Sequence, residues 1–90
     1  MSQKIIIESL AMDLKRVALG FHRGSNAMAN RFKEEALKRE DELESQEVSD
    51  YLRTLIRKSR EALKSDKNRV AEDALMYSTL FQNYSRRINL

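Results

Sequence analysis

The chain has 90 residues, too few to divide and enough for one modest core, so residues 1–90 read as a single helical-bundle domain. No Pro and only two Gly (Gly20, Gly24), against abundant Ala, Leu, Glu, Lys and Arg, leave almost none of the turn chemistry that a multi-stranded sheet needs. That excludes all-β and α/β folds and predicts an all-α one; the net charge of +3, from 17 Lys plus Arg and 14 Asp plus Glu, is too small by itself to specify a partner.

The first predicted helix covers residues 3–19. Ile7, Leu10, Leu14, Val17 and Phe21 alternate three and four apart, forming one amphipathic stripe. A second stripe, Ile5, Met12 and Leu19, is spaced by seven and projects to the opposite side of the helix at ~100° per residue. Two apolar faces imply either a central position in the bundle or a partner chain. The apolar run Ile5-Ile6-Ile7 breaks at Glu8, and Asp13, Lys15 and Arg16 soon follow, so this segment reads as neither a secretory signal nor a membrane span.

Around residues 20–26 the reading forks. Gly20 is suited to a left-handed C-terminal cap, and Ser25 or Asn26 to the N-cap of a following helix. Apolar spacing also continues through Phe21, Ser25, Met28, Phe32, Ala36 and Leu43, which would give one helix of roughly 40 residues and a three-helix architecture. Two glycines and two capping candidates within this stretch favour the break and hence four segments.

The second segment, residues 26–44, is weakly amphipathic, with Met28, Phe32, Ala36 or Leu37, and Leu43 inward, and it ends in a polar stretch, residues 39–46. A connection begins at Ser45 or Gln46. The third helix is expected over residues 47–64, with Glu47 and Asp50 in its first turn and Val48, Leu52, Leu55, Ile56, Ala62 and Leu63 buried. Asp66 or Ser65 caps the fourth. There Val70, Ala74, Tyr77, Phe81, Tyr84 and Ile88 alternate four and three, and Ala71, Leu75, Met76 and Leu80 widen the apolar arc beyond one face. Short connections between segments of similar length predict an antiparallel, up-down-up-down bundle, oligomeric through its spare apolar surface.

Charge is laid out unevenly. Residues 34–50 hold eight acids against two bases, and residues 53–69 hold seven bases (Arg53, Arg57, Lys58, Arg60, Lys64, Lys67, Arg69) against two acids. Antiparallel folding brings the second block to the same end as Lys15, Arg16, Arg23, Arg31 and Lys33, predicting a basic pole and an acidic pole. Arg53, Arg57, Arg60 and Lys64 fall on one ribbon of the third helix, opposite its apolar stripe. This ribbon is the candidate site for an anionic partner, and reversing Arg57 and Arg60 to Glu is expected to leave the fold intact.

Catalytic and metal chemistry find few candidates. There is one His and no Cys, and no Glu-x-x-His pair that would set two ligands on one helical face. Hence no catalytic, cofactor-binding or metal-binding residue is assigned, and no cofactor. The absence of Cys also means no disulfide framework and suits a reducing cytoplasm. His22 reads as an exposed or capping residue. Glu34-Glu35 and Glu40-Asp41-Glu42 read as solvated carboxylates with nothing to raise a pKa, whereas Asp73 falls inside the apolar arc of the fourth helix.

Nucleic acid lacks a reader in this sequence: no helix-turn-helix signature, no basic region leading into a zipper, and Tyr77, Phe81 and Tyr84 placed on the core stripe rather than among the basic residues. The expectation is a non-enzymatic cytoplasmic helical bundle acting through protein contacts, as a homodimer or adaptor. Its possible interface residues are Ile5, Met12, Leu19, Leu75 and Met76. The alternative is a nucleic-acid-associated regulator that binds electrostatically through the basic pole.

Overall fold

Each of the four helices begins on a side chain that caps it. In the computed structural model, which describes residues 2–88 with the side chain of Lys67 excepted, the helices are α1 (Gln3–His22), α2 (Asn26–Glu44), α3 (Asp50–Leu63) and α4 (Lys67–Arg87). Ser2, Ser25 and Ser49 accept the backbone N–H of Ile5, Met28 and Leu52, and Asp66 accepts those of Asn68 and Arg69. Connections of three, five and three residues turn the chain back on itself. The result is an all-helical antiparallel bundle in which α1 neighbours α2 and α4, and α3 closes the ring between them.

The break after α1 is real, but Gly20 does not make it. Gly20 lies inside α1, and Gly24 (φ 75°) is the residue in the left-handed region. The N–H of Ser25 reaches the carbonyl of Gly20 at 2.8 Å and that of Gly24 the carbonyl of Phe21 at 3.1 Å, a Schellman closure one turn later than the sequence implied. Gly20 instead permits contact between helices. A Cβ there would lie 2.6 Å from the backbone nitrogen of Ala29 and 2.9 Å from its Cα. α3 also begins later than expected: Ser49 caps it, Asp50 occupies its first turn, and Glu47 and Val48 belong to the connection.

The core is continuous through all four helices. Ile6, Ile7, Leu10, Leu14 and Val17 of α1 meet Ala36 and Leu43 of α2, Leu52, Leu55, Ile56 and Leu63 of α3, and Val70, Ala74 and Phe81 of α4. α1 packs closely on both neighbours, while α2 and α3 share the thinnest seam. Ser78 of α4 donates to the carbonyl of Ala11 at 2.6 Å, which fixes the register of α1 against α4. At the α3 N-terminus the Tyr84 ring stacks on Tyr51 with centroids 5.7 Å apart, and its hydroxyl meets the capping Ser49 at 3.0 Å. No helix among the described residues is long and apolar enough to cross a membrane.

Gly20→Ala is expected to destabilise the protein by about 2 kcal/mol or more, since the added methyl meets backbone rather than a movable side chain. Gly24→Ala, which meets nothing but must adopt a left-handed conformation, should cost about 1–2 kcal/mol. Urea unfolding of both variants, with helicity followed by circular dichroism, checks the ranking; a neutral Gly20→Ala would show that α1 and α2 do not approach this closely.

Candidate interaction surface

With its inner stripe committed to the core, α1 leaves the other stripe uncovered. Ile5 and Met12 are each 49% exposed and Leu75 of α4 is 51% exposed, while Leu19 is partly covered. Ile5 continues the same stripe of α1, and Met12, Leu19 and Leu75 flank the outer seam between α1 and α4. Two clefts run along it: Ala11, Met12 and Ser78 line the first, and Ala18, Leu19, Ala71 and Leu75 the second. Their volumes, 260 and 300 Å³, fall at or below the lower end for small-molecule sites, which begin at roughly 300 Å³.

Met76 does not belong to that surface. It is 48% exposed on the other flank of α4, lining a cleft with Tyr51, Leu55, Tyr77 and Leu80 against α3. The five expected interface residues therefore divide between two faces, with Leu75 beside the α1 stripe and Met76 beside Tyr51.

The basic ribbon is interrupted at its centre. Arg53 and Lys64 are exposed, and Arg57 is 63% exposed with Glu61 4.0 Å away. Arg60, 27% exposed, instead turns toward α2, 2.6 Å from Asp41, 3.7 Å from Glu44 and 3.8 Å from Glu40. The two oppositely charged blocks of the sequence thus meet across the α2–α3 seam. Reversing Arg60 to Glu would set it against three acids, so the expectation that the double reversal of Arg57 and Arg60 leaves the fold intact is corrected here. The side chain of Lys67, in the same basic block, lies outside the described residues. Where α1 meets α2, Arg16 of α1 and Arg31 of α2 stack over Phe32 at 5.2 and 5.6 Å.

Two acids are buried, and neither is Asp73. Asp73 remains partly exposed, whereas Glu40 is fully enclosed and Asp13 nearly so. Burial pushes the Asp13 carboxyl above its ordinary range against the lowering influence of Arg39 and Arg16, which lie 4.0 and 3.9 Å away. Burial likewise raises Glu40 from 4.5 to about 7; the Ser59 hydroxyl and Arg60 oppose the shift, while Glu44 and Asp41 add to it. The sequence reads Glu40-Asp41-Glu42 as solvated carboxylates, and at Glu40 the structure overturns that.

Hydrogen-bond accounting supports a neutral Glu40. The Ser59 hydroxyl contacts both Glu40 Oε2 and, at 2.9 Å, the Ile56 carbonyl, yet it has one proton to donate. A protonated Glu40 donating to Ser59, with Ser59 donating to Ile56, satisfies both contacts. The signal was present in the sequence: positions 29, 36, 40 and 43 share one side of α2, and Ser59 lies three residues from both Ile56 and Ala62.

No family model, curated protein or solved structure matches the chain.

Two predictions follow from the α2–α3 seam. Because the folded pKa of Glu40 is raised, its contribution to stability is fully present below about pH 4.5 and is lost as pH rises through about 7, by roughly 3 kcal/mol in total. Glu40→Gln should flatten the pH dependence between about 5 and 7.5 and stabilise the protein above pH 7 by about 1–3 kcal/mol. Denaturant titrations across pH check this, and an unchanged slope would refute a buried neutral acid. Arg60→Ala should cost about 1–3 kcal/mol at neutral pH and Arg57→Ala less than about 0.5 kcal/mol, the difference measured by parallel urea titrations.

Proposed function

We propose that this is a non-enzymatic helical-bundle protein that acts through protein–protein contact, with the α1–α4 face as its contact surface. The observation that carries this reading is the half-exposed apolar set Ile5, Met12 and Leu75, continued by Leu19, along one helix pair. Glu40 has a pKa suited to proton transfer near neutrality, but its carboxyl has no exposed surface, so no substrate atom reaches it. The absence of Cys suits a cytoplasmic setting.

A second reading, electrostatic binding of nucleic acid through the basic pole, draws support from exposed Arg53, Arg57 and Lys64. It is weakened by the engagement of Arg60 with α2. Any such binding would fall steeply with salt.

Photo-crosslinking within the cells that make the protein separates the two. With benzoylphenylalanine in place of Met12, covalent adducts to protein are expected, and with the same group in place of exposed Glu34 on α2 they are not. Equal labelling from both positions, or none from position 12, would overturn the protein-contact reading. Salt-sensitive nucleic-acid adducts from position 57 alone would favour the second.

A further inference from the structure

The charges around the α1–α4 face identify what it fits. Glu8 and Lys15 alternate with the apolar residues of the α1 stripe, four residues before and three after Met12. On α4, Glu72 and Arg86 flank Ser78, which the hydrogen bond to Ala11 holds at the level of Met12. Glu8 and Arg86 border one cleft of the seam, and Lys15 and Glu72 the other. Signs therefore alternate around the four corners of the face. All four side chains are exposed, and none has an ion-pair partner among the described residues.

We propose that the occupant of this face is a second copy of the chain, related by a two-fold axis that crosses the helices at Met12, so that α1 lies antiparallel on α1 of the partner subunit. The proposal rests on the protein-contact reading above and names its partner. A half-turn about that axis sets Ile5 against the partner's Leu19 and Met12 against the partner's Met12, apolar on apolar. It also sets Glu8 against the partner's Lys15, and Glu72 against the partner's Arg86. A C2 interface must be complementary to itself, and this face satisfies that requirement in both apolar and charged positions.

An axis running along the helices would also pair opposite charges, Glu8 with the partner's Arg86 and Lys15 with the partner's Glu72. It would, however, place Ile5 over the polar end of α4 instead of over an apolar side chain. One side of the bundle, 37 by 19 Å, presents roughly 700 Å², close to the roughly 800 Å² per partner of a standard stable interface. Exposed ion pairs contribute little energy but fix register, while the apolar stripe supplies the attraction.

Light scattering behind a sizing column tests this on the purified full chain. At roughly 100 μM the wild type is expected at twice the 10.5 kDa chain mass. Met12→Glu, at an exposed position where folding tolerates the change, should give a monomer of unchanged helicity. Glu8→Lys should weaken dimerisation at least tenfold at low salt, and adding Lys15→Glu to the same chain should restore it, because the reversed pair still faces itself across the axis. Under the alternative axis the double reversal would instead set like charges against Arg86 and Glu72 and deepen the defect, overturning the geometry proposed.

A wild-type monomer, or a dimer indifferent to Met12→Glu, would overturn the proposal outright. Protein adducts from position 12 in that case would leave the protein-contact reading standing with a different partner, and their absence would remove both.

Discussion

The arrangement depends on how closely α1 approaches two helices at once. Against α2 the approach is set by Gly20, whose missing Cβ lets the backbone of Ala29 sit where a methyl group would otherwise be. Against α4 it is set by Ala11 and by Ser78, whose hydroxyl bonds directly to the α1 backbone. Small residues at both crossings bring the helix axes close enough for Ile7, Leu10, Leu14 and Val17 to fill the centre completely. A helix engaged on two sides and toward the core has one remaining face. On α1 that face is apolar at Ile5 and Met12, which is why the uncovered surface lies there.

α3 is held differently. Its apolar residues reach the shared core, but its seam with α2 is the thinnest in the bundle and is tied by polar groups, Arg60 with Asp41 and Glu40 with Ser59. Arg60 Nε and Glu40 Oε1 are both buried without a hydrogen-bond partner, so the pair is incompletely satisfied. Enclosing a carboxyl under those conditions favours its neutral form, which makes this seam the part of the fold most responsive to pH. Polar groups of this kind add little net stability but penalise a shifted register, because moving α3 along α2 would part the buried Glu40 carboxyl from the Ser59 hydroxyl.

Helix number, antiparallel order and most of the core were legible because they follow from local periodicity: the stripes of α1, α3 and α4 bury the residues that their spacing selects. Gly20 was misassigned for a physical reason. A glycine near a helix end serves equally well as a left-handed cap or as a close-packing surface, and only the position of Ala29, nine residues on in another helix, decides between them. Glu40 was missed because its immediate neighbours are charged, and composition outweighed the stripe through Ala36 and Leu43. For Leu75 and Met76 the breadth of the α4 arc was legible but its division was not. Which flank faces α1 and which faces α3 depends on the rotation of α4, fixed by Ser78.

The two distinctive regions lie on opposite sides of the ring. α1 and α4 form one side and α2 and α3 the other, with the apolar core between them. Ionisation of Glu40 acts on α3 through the thin seam, whereas the relative position of α1 and α4 is set by backbone-level contacts that contain no titrating group, Ser78 on Ala11 and the small side chains beside them. A well-packed interior transmits volume changes, and a proton gained or lost at Glu40 changes charge rather than volume. Asp13, buried on α1 and raised by that burial, adds a second titrating group on the α1–α2 side, so the pH response is shared between the α2–α3 seam and α1.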